Sequence, residues 1–188
     1  MDVSIAASFY QAATSQAWLA GCVVIVAQAG VFALPLALVA VWFRSGTRGE
    51  RHREAIVAGC VAAMLAVAIG LVLERALHRP RPFLELGFAP LFPHADDSSF
   101  PSDHTLVGVA LVGALVWRAR GPGLVLAAWA VVVGFARVAA GVHYPSDILG
   151  SAALAFVLDG LVWYTLPRRW LVRFSRLRSD APPPRNPP

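Results

Sequence analysis

The sequence predicts an all-α fold: a polytopic membrane helix bundle of about five transmembrane helices, preceded by an N-terminal interfacial helix. Three observations lead there. Of the 188 residues, 57% are hydrophobic and only 14% are charged, whereas a soluble domain carries about 25% charged residues. Apolar runs recur at lengths suited to a hydrocarbon core about 30 Å thick, which takes roughly 20 helical residues to cross. The basic residues, every one of them Arg, gather in short segments between those runs and in the tail.

Taken in order, residues 2–16 contain no Arg and read as a short helix lying on the membrane surface. They lack the basic start and small-residue cleavage site of a secretion signal. Residues 17–43, with aromatic residues at both ends, form the first span, and residues 55–77 form the second. The third runs from His104 to Trp117; it is short, so its polar start is expected below the membrane surface. The fourth covers residues 122–140 and the fifth 145–167. The Pro-rich tail, 168–188, ends in SDAPPPRNPP and is expected to be disordered.

The Arg distribution orients this layout. Arg44, Arg48, Arg51 and Arg53 fall in the 44–54 loop, Arg118 and Arg120 in the next short turn, and Arg168, Arg169, Arg173, Arg176, Arg178 and Arg185 in the tail. With five spans all three segments share one side, cytoplasmic by the positive-inside rule. The net charge of +5 therefore reads as membrane topology and not as a nucleic-acid footprint. Cys22 and Cys60 lie near opposite faces, which argues against a disulfide; they are expected as small core residues, and no metal-ligand spacing is present.

The opposite face comprises segments 78–103 and 141–144, and there the unusual polar residues gather. Charge at membrane depth costs about 2.5–3.5 kcal/mol on insertion scales, so such residues are functional suspects. "ERALHRPRPF", residues 74–83, makes a stiff exit from the second span and presents Arg79 and Arg81. In "SFPSDHT", residues 99–105, Pro101 suits the first helical position, which leaves the N–H groups of Ser102, Asp103 and His104 as a phosphate seat. His104 there can hold or deliver a proton. In "ARVAAGVHYPSD", residues 136–147, Arg137 is followed by His143 and, four residues on, Asp147. That spacing sets the carboxylate under the imidazole, fixing its tautomer and making one ring nitrogen nucleophilic. Asp159, inside the fifth span, either pairs with an Arg of the inner loops or joins a proton path; the pairing is the reading preferred here. Two His, several Arg, a Ser hydroxyl and a helix start on one face suit phosphoryl transfer, with guanidinium groups supplying the positive field.

In order, "RPRPF", "PSDH" and Arg–x5–His–x3–Asp resemble the three signature motifs of the type 2 phosphatidic acid phosphatase superfamily, across residues 74–147. More narrowly, "LFPHADDSSFPSDHT" followed by "GVHYPSDILGS" resembles its bacitracin-resistance undecaprenyl-diphosphatase branch. The resemblance implies a lipid phosphatase domain over 17–167 that needs no metal or other cofactor. It implies that Arg81, Ser102 and Arg137 bind phosphate, that His104 protonates the leaving group, and that His143, oriented by Asp147, forms a phosphohistidine. Glu74 stands where the family usually has Lys, so Arg79 is expected to supply that cation; Asp103 stands for a usual Gly and is expected to cap the helix or hold an Arg. Ala136 replaces a frequent Ser. His94, Asp96 and Asp97 either shape a pocket for a diphosphate head, bind a divalent ion, or simply make a polar loop.

The expected substrate is undecaprenyl diphosphate, an isoprenyl diphosphate lipid, hydrolysed at the outer face of the cell membrane in the service of cell-wall synthesis. Phosphatidate or phosphatidylglycerol phosphate would use the same residues. A non-catalytic phospholipid-binding role is the reading from another class, and transfer of the phosphoryl group to an acceptor lipid is a third.

Overall fold

The computed structural model describes residues 1–44 and 49–167, apart from the Glu50 side chain. The tail 168–188 and Arg48 lie outside the described residues. Among the described residues, eight α-helices and one 3-10 turn are joined without a strand: α1 (Asp2–Thr14), α2 (Ala17–Ala29), α3 (Ala33–Arg44), α4 (Gly49–Ala76), α5 (Pro82–Leu86), α6 (Asp103–Arg118), α7 (Arg120–Ala139) and α8 (Pro145–Thr165).

The first apolar run is not one uninterrupted helix. Pro35 lacks an N–H and its ring crowds the preceding turn, and Gly30–Phe32 tightens into the 3-10 turn between α2 and α3. The Gly30 carbonyl accepts a bond of 2.8 Å from the Trp129 indole. The second run begins earlier than expected. Arg51 and Arg53 belong to the first turns of α4 rather than to a loop, and Arg53 is held by stacking 5.4 Å from the Trp42 ring centre.

Among the described residues, four stretches are long and apolar enough by length and composition to cross a membrane: Ala17–Arg44, Arg51–Ala76, Arg120–Ala139 and Pro145–Thr165. The expected third span, α6, has 16 residues, about 24 Å at 1.5 Å per residue, and is as short as the sequence reading anticipated. It is the central helix, packed against α4, α7 and α8. Leu106, Val109, Val112 and Leu115 of α6 join Leu34, Leu38, Leu126, Leu158 and Val162 in the main core. Ala58, Ala62 and Ala66 on α4 meet Ala110 and Ala114 on α6, and small residues allow that close approach.

Large apolar side chains such as Leu36, Val72, Val125, Leu149 and Val157 point outward. Lipid is as apolar as a protein core, so an outward face needs no polar cover. The same reason corrects the reading of the two cysteines: Cys22 and Cys60 are both exposed on outer faces and are not core residues. Asp159 also departs from expectation. It is buried, yet neither carboxylate oxygen has a hydrogen-bond partner among the described residues. Arg118, which lines the same cavity as Asp159, stacks instead on Trp163, 4.1 Å from its ring centre.

Antiparallel order puts Arg44, Arg118 and Arg120 at one end of the bundle, and the end of α4, the start of α6, the end of α7 and the start of α8 at the other.

Candidate active site

Three short segments converge at that second end. After α4 the chain reads His78-Arg79-Pro80-Arg81-Pro82, and a residue before proline is steered to extended backbone. Arg81 adopts it (φ −75°, ψ 155°) and α5 starts on Pro82. The loop before α6 is fastened to this stretch: the Ser99 N–H donates to the Arg79 carbonyl at 2.9 Å, and the Arg79 N–H donates to Ser98 Oγ at 3.3 Å. The third segment is the α7–α8 turn. Gly141 takes φ +81°, a conformation that costs glycine little and other residues much, and a Cβ there would meet Phe88 at 2.4 Å. This turn delivers His143 just ahead of Tyr144, the N-cap of α8, and Pro145, its first residue.

His143 is 1% exposed, and Arg81 and Arg137 are each 4% exposed. Its Nδ1 lies 2.7 Å from the Ser99 carbonyl. Its Nε2 lies 3.4 Å from Arg81 Nη1 and 3.3 Å from Arg137 Nη2. A carbonyl can only accept and a guanidinium can only donate, so these partners assign the tautomer: Nδ1 carries the hydrogen and Nε2 keeps its lone pair. Burial first, then the charges of Arg137 and Arg81, hold the His143 pKa well below its ordinary value. The ring is a neutral base with its free nitrogen between two cations. An electrophile carrying several anionic oxygens would meet a nucleophile and two sets of donors at once.

Each cation has further anchors. Arg81 Nη1 donates to the Val142 carbonyl at 2.9 Å, while its Nε and Nη2 both reach Asp97 Oδ1, at 2.7 Å and 2.6 Å. Arg137 Nη2 donates to His94 Nε2 at 2.9 Å, and its buried Nε has no partner among the described residues. Burial together with Arg81 and Arg137 lowers the His94 pKa, so it too is neutral and accepts. Partial burial raises the Asp97 pKa, but its bonds with Arg81 outweigh that and the net direction is down.

Of the residues expected from sequence, Arg81, Arg137 and His143 come together. Asp147 does not orient His143 directly: its Oδ2 is 3.9 Å from His143 Nδ1 and instead accepts the Tyr144 N–H at 2.8 Å. The Ser99 carbonyl takes the orienting position, because the loop before α6 reaches the imidazole first. Arg79 does not face His143 either. It binds Asp147 Oδ1 at 2.5 Å and Asp2 Oδ2 at 2.6 Å, and stacks 4.3 Å from the Tyr144 ring centre. It is a counter-charge to the carboxylates and not a donor at Nε2.

Pro101 precedes α6 by two residues, because Ser102 is the N-cap and the helix starts at Asp103. The Ser102 Oγ pairs with Thr105 Oγ1 at 3.1 Å, and its N–H donates to Ser151 Oγ at 2.8 Å. Asp103 is exposed, with its Oδ1 toward Gly70, and neither caps the helix nor holds an Arg. His104, half-buried in the first turn of α6, sits against the Gln28 backbone, within electrostatic reach of Arg137 and His94.

Sequence reasoning missed Ser99, which acts through its carbonyl, and Asp2, whose carboxylate receives the Ser146 N–H and Oγ as well as Arg79. It left His94 and Asp97 as loop residues of open role; both stand on the guanidinium groups. Tyr144 completes the surround with a short bond from its hydroxyl to Glu85.

Comparison with known proteins shows the family and the fold. The sequence pattern of the PAP2 superfamily matches residues 55–171. Undecaprenyl-diphosphatase BcrC of Bacillus subtilis is 33% identical over 138 residues, covering 73% of this chain and 70% of that protein. Among solved structures, a transmembrane PAP2-type phosphatidylglycerolphosphate phosphatase from Bacillus subtilis superposes with a TM-score of 0.64 at 26% identity, covering 87% of this chain and 83% of that one. LpxE of Aquifex aeolicus shares the fold with a TM-score of 0.65 at 21% identity, covering 87% and 94%.

Proposed function

The chain belongs to the PAP2 superfamily of membrane lipid phosphatases, and from that premise we propose that it hydrolyses undecaprenyl diphosphate to undecaprenyl phosphate and orthophosphate at the outer face of the cell membrane. The observation that carries this reading is the convergence of two buried guanidinium groups on the lone-pair nitrogen of a neutral histidine. BcrC of Bacillus subtilis, a relative at 33% identity, supports the diphosphate substrate, and the Arg residues at the far end of the bundle support the outward site.

In this mechanism His143 Nε2 attacks the terminal phosphorus, and the bond to the bridging oxygen breaks. His104 gives its proton to that oxygen as undecaprenyl phosphate leaves. Arg81, Arg137 and Ser102 hold the three equatorial oxygens, whose charge grows along the path. Water then attacks the phosphohistidine, His104 takes the proton, and the P–N bond breaks to release orthophosphate. No step uses a metal.

The test is phosphate release by purified protein in EDTA, comparing undecaprenyl diphosphate, phosphatidylglycerol phosphate and phosphatidate. Metal-free release favouring the diphosphate, reduced roughly 10³-fold by His143→Ala and by His104→Ala, is the expected result. Preference for phosphatidylglycerol phosphate would favour the second reading, which the 26% identity to that phosphatase supports. Release indifferent to His143 would overturn the phosphohistidine.

A further inference from the structure

We propose that Asp97 is an internal competitor for phosphate: its carboxylate occupies the edge of Arg81 that the phosphoryl group needs, and it returns there to drive orthophosphate out. The proposal rests on Arg81 being a phosphate donor, as above.

The geometry of one guanidinium carries it. Arg81 offers two useful edges. Nη1 is committed to the Val142 carbonyl and faces His143. The remaining edge, Nε with Nη2, is the fork that receives paired oxygens of a phosphate or carboxylate. In this structure a single oxygen, Asp97 Oδ1, spans that fork at 2.7 Å and 2.6 Å. Arg137, by contrast, bonds only to neutral partners, His94, His143 and the Ala27 carbonyl, and keeps its Nε unengaged among the described residues. An incoming phosphate can take up Arg137 without displacing an anion, but it gains the Arg81 fork only when Asp97 yields.

The loop makes Asp97 a persistent competitor. Its neighbours Ser98 and Ser99 are bonded to Arg79, two residues from Arg81, so the carboxylate stays beside the fork after it lets go. It also has somewhere to go. A cavity of about 510 Å³ adjoins it, lined by Arg75, His78 and Arg79 and by the carboxyl groups of Glu74, Asp96 and Asp97, and leaves the Asp97 side chain room to swing off the fork. When the fork is free only part of the time, apparent affinity falls by that fraction for every phosphate ligand. The weakest, free orthophosphate and the single-charge diester headgroups that fill a membrane, then fall below useful occupancy.

The experiment titrates orthophosphate into purified full-length protein in detergent and, separately, measures its inhibition constant and the lipid KM. Asp97→Asn is expected to tighten orthophosphate on the order of tenfold and to lower KM with it. Asp97→Glu, which keeps the charge, restores wild-type values. Asp96→Asn removes the same charge from a neighbour that makes no bond to Arg81, and it shifts binding less than twofold. Asp97→Ser replaces the amide variant should that one fail to fold. Equal tightening by the Asp96 and Asp97 variants would reduce the effect to long-range charge and overturn the proposal, as would no change, weaker binding, or no orthophosphate binding by any variant. Because the titration needs no turnover, a protein inactive on all three lipids would refute the proposed function while leaving this result readable.

Discussion

Asp147 and Asp159 sit at opposite ends of α8, 0% and 5% exposed, and their surroundings have almost nothing in common. Asp147 receives the Tyr144 N–H and the Arg79 guanidinium, and Arg79 is in turn shared with Asp2 at the N-terminus of the chain. Asp159 has no hydrogen-bond partner among the described residues and fits a notch in α6, where a Cβ on Gly113 would stand 1.8 Å from its Oδ2. One end of the bundle thus buries charge by importing counter-charge from distant segments, and the other accommodates a carboxylate by shape. The difference teaches that burial of an acidic residue in a membrane bundle does not by itself mark a site; the partners brought to it do.

The largest expected effect sharpens that contrast. Asp147→Asn leaves Arg79 without its buried partner and is expected to cost roughly 10²-fold in kcat/KM, with a loss of about 3–5 kcal/mol in stability. Asp159→Asn is expected to keep activity within about twofold and to leave stability unchanged or raise it by ~1 kcal/mol. Parallel assays and thermal melts in detergent check both, and equal losses of activity would break the comparison. Next, Gly113→Ala drives a methyl into the Asp159 carboxylate and is expected to destabilise by about 1–3 kcal/mol. Asp159→Ala in the same chain should recover most of that, a coupling read from a double-mutant cycle of melting temperatures.

A pH titration probes the site end alone. His143 and His94 both have folded pKa values below the ordinary 6.5, so the unfolded chain binds more protons than the folded one in the window beneath that value. Stability therefore falls as pH drops below about 6.5 and is fully present above it. The acid limb of kcat/KM belongs well below 6.5, where Nε2 finally gains its proton; a limb at or above 6.5 would contradict a neutral His143. The smallest effect is at the far end. Arg118→Ala removes the stacking on Trp163 and is expected to cost no more than ~1 kcal/mol, without change in KM.

How far the sequence could be read follows the range of each force. The helices were legible because apolar runs of spanning length report directly on lipid. Arg81, Arg137 and His143 were legible because costly polar side chains in a chain this oily demand a use. The Ser99 carbonyl was not, since a backbone acceptor carries no side-chain signature. Nor was Asp2, whose partners Arg79 and Ser146 lie far along the chain and become neighbours only when α1 docks on the start of α8. Asp97 was visible as a polar loop residue, but nothing in its neighbours says that it lies across a guanidinium fork.

By itself the sequence determined a membrane helix bundle with its reactive polar residues at one end, because hydropathy and the cost of buried charge are properties of composition and local order. Only the tertiary structure decided which nitrogen of His143 is free, which carboxylate answers which Arg, and that the loop before α6 stands on the cations it adjoins. Those are choices among several chemically equivalent partners, and a hydrogen bond or ion pair is settled by distances of a few tenths of an ångström that arise only when remote segments pack.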